Sequence, residues 1–442
     1  MRRADTVADR SMGLGLRALN QLAGSSLLDR VGLRKQAERL VFMASKNGFR
    51  TASAAGRTFK AAQRLGKPAR QRAGKPRGLF DITPDDEQQF FQEAVRDFAE
   101  AKVRPAALAA DEECTTAAEL LAQVNELGVN MLGIPEEVGG VMPEQAAVTA
   151  VLVGEALAHG DLGIAYAALA PGAVASAIGR WGTAEQEATY LPAFVGEDVP
   201  GAALAMLEPT PLFDPFRLST TARRDRGDWI LEGVKSLVAR PGACELFIVA
   251  AEAEGHGPAL FLLESGGGGL SVEPEPAMGL RPAGTGRLIL EGVRAPAGAL
   301  LGEGGRDSYA DCVQRSRIGW CALAIGTAQA VLDYVIPYVG QRTAFGEPLA
   351  NRQGVAFAVS SIAIELEGMR LATYRAASRA DQGRSFAHES ALARRLCAAK
   401  GMMIGSNGVQ LLGGHGYVKE HPVERWYRDL RAAGVMEGAL LV

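Results

Sequence analysis

The side chains able to do chemistry are unevenly placed along the 442 residues. Five cysteines, Cys114, Cys244, Cys312, Cys321 and Cys397, stand singly with no C-x-x-C pair, and the odd number argues against a closed disulfide framework and for a reducing compartment. His415 and His421 lie six apart with no acidic or thiol partner at a metal-ligand interval, so no metal site is expected. The glycine run 266–269 is followed by neither a helix nor Lys-Ser/Thr and reads as a hairpin-type loop, not a phosphate cradle. What remains lies toward the C-terminus: Arg317, Arg342-Thr343-Ala344-Phe345-Gly346, Gln353, Gln410-Leu411-Leu412-Gly413-Gly414-His415-Gly416-Tyr417, Arg428-Asp429 and Glu437-Gly438. Carboxylates serve as general bases, guanidinium groups pair with anions, and glycines let a bound group approach the backbone.

These residues need scaffolds. Thr83 followed by Pro84 and Asp86 has the form of an N-cap with proline at the first helical position, and Phe90, Phe91, Ala94, Val95 and Phe98 supply the buried stripe behind it, so a helix is predicted from about 84 to 103. Leu120, Leu121, Val124 and Leu127 mark a second helix, and apolar segments near 143–159 and 163–180 two more. After Pro200, runs rich in Val, Ile, Leu and Phe at 229–234, 246–251, 260–263 and 287–290 alternate with Gly, Pro and charged turns, as in a compact all-β unit. Long helical segments near 306–340, 352–381 and 386–412 follow. Strand–helix alternation is missing, which disfavours a doubly wound nucleotide fold. The expected architecture is α+β and multidomain: a basic arm over 1–78, an all-α N-terminal domain over 79–200, a small β-barrel-like middle domain over 201–304 and a C-terminal antiparallel four-helix bundle over 305–442.

A composition of 48% hydrophobic and 22% charged residues with net charge −3 is that of a soluble globular protein. The near-neutral total conceals an asymmetry, because residues 1–78 hold 18 Lys and Arg against 4 Asp and Glu, a charge of +14, and the remaining 364 carry −17. Within the arm, Leu28, Val31, Leu40, Val41 and Ala44, then Ala55, Phe59, Ala62 and Leu65, recur at helical intervals ahead of the Pro/Gly-rich basic run 67–78. Several readings stay open. The arm is solvated or docked on the acidic body, makes peripheral contact with an anionic membrane worth about 1 kcal/mol per nearby Lys or Arg, or is a targeting segment, which Asp5 and Asp9 count against. No stretch of about 18 apolar residues lacks a charge, so a membrane span is not expected. The expected location is cytoplasmic, with peripheral membrane contact as the variant, and no nucleic-acid partner is expected.

The body resembles the acyl-CoA dehydrogenase family of flavoproteins along essentially its whole length. Gly133-Ile134-Pro135-Glu136-Glu137-Val138-Gly139-Gly140, Gly182-Thr183-Ala184-Glu185-Gln186 and Tyr190-Leu191-Pro192 are similar to family signatures, and the C-terminal motifs quoted above follow in the family's order and spacing. The resemblance implies α,β-dehydrogenation of an acyl-CoA thioester, with Glu437 abstracting the α-proton and hydride passing to N5 of FAD. A base of this kind works best desolvated. The backbone N–H of Glu437, with a ribityl hydroxyl, would polarise the thioester carbonyl. The resemblance assigns cofactor binding to Arg342, Phe345, Gly346, Gln353, Gln410, Gly413, Gly414 and Gly438, and substrate contact to Arg317 and Arg428. Arg342 would meet the FAD pyrophosphate and reach a neighbouring subunit, with Gly416 among the glycines that admit the adenine end. It further implies a homo- or hetero-oligomer, dimeric or tetrameric, and an electron-transfer flavoprotein as electron acceptor.

The middle domain departs from the pattern. In Ala205-Met206-Leu207-Glu208-Pro209-Thr210-Pro211-Leu212-Phe213-Asp214, Leu207, Leu212 and Phe213 stand where the family has Thr, Gly and Ser. In Lys235-Ser236-Leu237-Val238-Ala239-Arg240, Leu237 and Ala239 replace the aromatic residue that covers the flavin and the hydroxyl that bonds its N5. Ala439 replaces Thr, and the family's closing helix is not represented before Val442. At about 0.5–1.5 kcal/mol per lost hydrogen bond, flavin affinity falls by one to three decades unless compensated. The alternative is therefore a non-catalytic, flavin-poor partner subunit of a hetero-oligomer.

Overall fold

Asp85 opens the helical region. Its carboxylate accepts the Gln88 N–H at 2.8 Å while Gln88 Oε1 accepts the Asp85 N–H at 3.1 Å, and this capping box starts α1, Asp86–Phe98. The cap expected at Thr83 therefore moves two residues on, and of the stripe expected to be buried only Val95 is fully so, Phe90 and Ala94 being exposed. The computed structural model describes residues 82–140, 147–196 and 198–438, and the basic arm with its two expected amphipathic helices lies outside them. From α1 the chain continues through one wide turn, Ala99–Val103, into α2, Arg104–Glu113, so the helical run extends past the expected end at 103. α3, Ala118–Glu126, precedes two core helices, α4, Ala147–Gly160, and α5, Leu162–Trp181, and the short α6, Ala184–Tyr190. α4 and α5 are apolar on nearly every face and buried accordingly.

Seven strands follow: β1, Ala202–Ala205; β2, Thr221–Asp225; β3, Asp228–Val238; β4, Leu246–Ala253; β5, Gly257–Glu264; β6, Leu270–Pro274; β7, Gly286–Ala295. They form one sheet of order β1-β4-β2-β3-β7-β6 with β5 on β4, in which β4 runs parallel to β1 and β2. β2 and β3 are joined by Arg226 and Gly227, whose φ values of 51° and 100° make the two-residue turn that matches strand twist. The 266–269 loop is not a hairpin: it links β5, paired with β4, to β6, paired with β7. The β3–β7 ladder slips between Lys235 and Val238, where Leu237 takes φ +51°, so backbone donors there leave the ladder.

The last region holds α7, Arg306–Gln341; a two-stranded turn of β8, Thr343–Ala344, and β9, Glu347–Pro348; α8, Gln353–Asp381; α9, Ala387–Leu412; and the short α10, Val423–Leu430, and α11, Ala432–Val435. Among the described residues the expected four-helix bundle is three long helices with α10 as a short fourth, Trp426 and Leu430 entering the core they share. Against the expectation that no such stretch exists, α5 and α7 have the length and hydropathy of membrane spans, and residues 162–179 of α5 carry no charged side chain. Because 89% and 67% of their apolar windows are buried, they serve as interior helices.

Candidate active site

Met436, Glu437 and Gly438 fold back between α7 and α9. Ser316 Oγ on α7 accepts the Gly438 N–H at 2.5 Å, and Arg394 Nη1 on α9 donates to the Met436 carbonyl at 2.8 Å, so the chain is held on both sides of Glu437. Gly438 takes φ +93°, a backbone conformation that favours glycine, and a Cβ there would come within 3.2 Å of the Leu204 carbonyl oxygen at β1. Glu437 itself is 4% exposed. Its Oε1 accepts from Arg317 Nε and Nη2, both at 3.3 Å, and lies 3.2 Å from Arg394 Nη2. Its Oε2 is buried with no hydrogen-bond partner among the described residues. Burial raises the proton affinity of this carboxyl above its ordinary value, against the opposing pull of Arg394 and Arg317.

A second cluster lies at the far ends of the same helices. Arg342, which caps α7, and Gln410, Gly413 and Gly414 at the end of α9 line one cleft of about 660 Å³ together with Tyr338 and His415. Gly413 turns the chain at φ +59°, and a Cβ on Gly413 or Gly414 would meet nothing within 4 Å. Gly416 is different: a Cβ there would strike the Val409 carbonyl, so this glycine allows helix-end packing and not cofactor approach. His415, given no role from the sequence, stacks on His421 at 5.4 Å and bonds Tyr338 Oη at 2.9 Å. Gln353 is exposed where α8 begins beside the cleft; Phe345 and Gly346 form the exposed β8–β9 turn, with the Arg352 guanidinium 5.6 Å from the Phe345 ring.

Gly438 lies beside Glu437, apart from the cleft. One expected role is corrected. Arg428 has no donor left for a substrate: Nε bonds Glu424, Nη1 bonds Asp111 and the Met278 carbonyl, and Nη2 bonds Asp111 and Glu424. It ties α10 to α2 instead. Arg394 and Ser316 were missed, because each sits in a helical run where its residue type is ordinary and only the returning Glu437 segment gives it a partner.

The replaced middle-domain segment is engaged internally. Ser236 Oγ donates to both oxygens of Glu275, at 3.0 and 2.9 Å, and the Leu237 N–H donates to Glu275 Oε2 at 2.7 Å. Leu212, in the place of the family's glycine, sits fully exposed at φ +55°. Behind this segment Lys235 and Glu208 form a buried ion pair at 2.8 Å, with Ser219 and Thr220 N–H groups completing the Glu208 carboxylate. Burial pushes the Lys235 amine down to about 8, opposed by Glu208.

Comparison with known proteins covers the whole body. Family profiles described as acyl-CoA dehydrogenase N-terminal, middle and C-terminal domains match residues 85–198, 203–293 and 303–440. The mitochondrial short-chain specific acyl-CoA dehydrogenase of Bos taurus is 32% identical over 362 residues, 79% of this chain and 86% of the relative. The butyryl-CoA dehydrogenase structure from Megasphaera elsdenii superposes with a TM-score of 0.75 at 30% identity, covering 81% of this chain and 96% of that one. A glutaryl-CoA dehydrogenase from Mycobacterium smegmatis in complex with FADH2 does so at 0.73 and 25% identity, covering 79% and 90%.

Proposed function

The chain belongs to the acyl-CoA dehydrogenase family, and on that premise we propose that it is an FAD-dependent oxidoreductase that desaturates an acyl-CoA thioester, with Glu437 as the base and an electron-transfer flavoprotein as electron acceptor. The observation that carries this reading is the Glu437 carboxylate, buried, restrained through Oε1 and with no partner for Oε2 among the described residues. When bound, FAD supplies the hydride acceptor that no side chain can provide. The residues fit such a group at two places: an orphaned buried oxygen at Glu437, and a glycine-lined cleft with Arg342 at its wall. Glu437 Oε2 takes the α-proton; the burial that raises its proton affinity suits a base that must hold a proton drawn from a weakly acidic carbon. The Glu437 N–H, on a segment fixed by Ser316 and Arg394, is positioned to polarise the thioester carbonyl.

The two places cannot serve one cofactor molecule. Arg317 and Arg342 are 25 residues apart on α7, about 38 Å at 1.5 Å per residue. A flavin ring is separated from its pyrophosphate by a five-carbon ribityl chain, which at ~1.5 Å per bond reaches roughly 10 Å. Arg342 and the cleft therefore serve the FAD of a second subunit, and the protein works as an oligomer. Phe357, Ile364 and Leu371, exposed at seven-residue intervals along α8, supply an apolar helix face for such assembly.

Short-chain thioesters are the first substrates to test, given the named activities of the relatives. Purified protein should show a flavin absorbance band that anaerobic butyryl-CoA bleaches; Glu437→Gln should keep the band and lose the bleaching. Colourless protein that fails to take up added FAD would restore the reading as a flavin-poor partner subunit. The +14 charge of residues 1–78 supports contact with an anionic surface. Co-sedimentation of the full chain, but not of residues 79–442, with phosphatidylserine vesicles would test it.

A further inference from the structure

We propose that Arg394 is a positioning residue that decides which oxygen of Glu437 receives the proton: together with Arg317 it immobilises Oε1 and leaves Oε2 as the acceptor. This deepens the reading of Glu437 as base and rests on it.

Three guanidinium nitrogens converge on Oε1, namely Arg317 Nε and Nη2 at 3.3 Å and Arg394 Nη2 at 3.2 Å, and none of the described residues bonds Oε2. The two arginines act differently. Among the described residues Arg317, on α7, hydrogen-bonds only the carboxylate, whereas Arg394 ion-pairs with Oε1 through Nη2 at 3.2 Å and donates to the Met436 carbonyl from Nη1 at 2.8 Å. One rigid planar group thus ties the backbone before Glu437 to the end of its side chain, which fixes the torsions between them. A lysine point charge at this position has no such fork.

The fork is itself anchored, since Ala393 and Cys397, flanking it on α9, are fully buried. The groups facing Glu437 are Arg317, Tyr309 and Cys312 on α7 and Arg394 on α9; Gly438 meets the Leu204 backbone and brings no charge. The arginines are thus the cations that oppose the effect of burial on this carboxyl. In the step itself the Cα–H bond would break, its proton would bond to Oε2, and the electron pair would become the new Cα=Cβ bond, the β-hydride passing to the acceptor that FAD would supply when bound.

Arg394→Met and Arg394→Lys in the FAD-loaded oligomer test the proposal. Arg394→Met should retain FAD and an unchanged KM, lose about 10- to 100-fold in kcat, and move the acid limb of the kcat profile to higher pH, because a cation that favours the ionised base is gone. Arg394→Lys should return the limb toward its wild-type position but recover kcat only in part, for want of the second contact. Titration of Glu437 in the apoprotein by ¹³Cδ-glutamate NMR, assigned with Glu437→Gln, should show the same upward shift in Arg394→Met independently of turnover. An unchanged limb and midpoint in Arg394→Met overturn the proposal. Should Arg394→Met fail to fold, Arg394→Lys decides: reduced kcat at a wild-type limb supports it, and wild-type kcat sinks it. Turnover by Glu437→Gln would instead remove the base assignment, a distinguishable failure.

Discussion

Arg317 and Arg342 stand about 38 Å apart on a single helix, the first against the buried Glu437 and the second in the glycine-lined cleft. The same polarity repeats on α9, where Arg394 holds the Glu437 segment and Gln410, 16 residues on and about 24 Å away, lines the cleft. Each chain therefore carries a buried carboxylate at one end of its bundle and a glycine-lined cleft with an arginine at the other.

Subunit complementation follows from that spacing. Glu437→Gln and Arg342→Ala should each be inactive as homo-oligomers, the first for want of a base and the second for want of bound FAD. Co-expressed, they should regain a substantial fraction of wild-type activity, because some sites would pair an intact Glu437 with an intact Arg342 from the other chain. Absence of recovery in confirmed hybrids would place both functions in one chain.

Activity should carry an acid limb above the usual carboxylate range. As the proposed base Glu437 must be ionised to act, and burial raises its affinity for the proton despite two arginines, so kcat/KM should rise with pH through a midpoint above the ordinary glutamate value of about 4.3. The sign for stability is opposite: the folded state binds this proton more tightly than the unfolded chain, so stability is lost as pH rises through the folded value. A pH–rate profile with its midpoint at or below 4 would contradict the environment described for Glu437.

Breaking the Glu208–Lys235 pair should be costly. Glu208→Gln leaves the fully buried Lys235 ammonium without its carboxylate, a loss on the order of 3–5 kcal/mol, readable in the urea midpoint. Glu208→Gln with Lys235→Met should recover most of that loss, since the stranded charge is removed; equal destabilisation by the single and double variants would show that the charge is not what matters.

Asp429 gives a second pH dependence. Its Oδ1 accepts the Leu280 N–H at 2.7 Å, its Oδ2 is buried with no hydrogen-bond partner among the described residues, and burial together with neighbouring Asp161 pushes its carboxyl up to about 8. With the folded value above the unfolded one, stability should fall as pH rises from about 4 toward 8. Asp429→Asn keeps the acceptor for Leu280 and removes the titration, so its Tm should decline less between pH 5 and pH 8 than that of the parent. A parallel decline in the two proteins would show that Asp429 does not titrate in this range.

The sequence by itself determined the order α, β, α, because helix and strand periods are local properties: the stripe of α1, the all-apolar α4 and α5, and the Val/Ile/Leu runs of β3, β4, β5 and β7 need no tertiary information to be read. Motif register likewise singled out Glu437, Arg342 and the Gln410–Gly414 turn. β1, β2 and β6 were illegible, since Ala-Ala-Leu-Ala, Thr-Ala-Arg-Arg-Asp and Leu-Ser-Val-Glu-Pro become strands only through their neighbours' hydrogen bonds. The tertiary structure decided the roles of the arginines. Arg428 is saturated by Asp111 and Glu424, and Arg394 meets a carbonyl 42 residues later in the chain. A guanidinium on a helix looks alike in sequence whether it faces water or a buried carboxylate; its partner is set by which distant segment folds back onto it, and that is a property of packing, not of spacing.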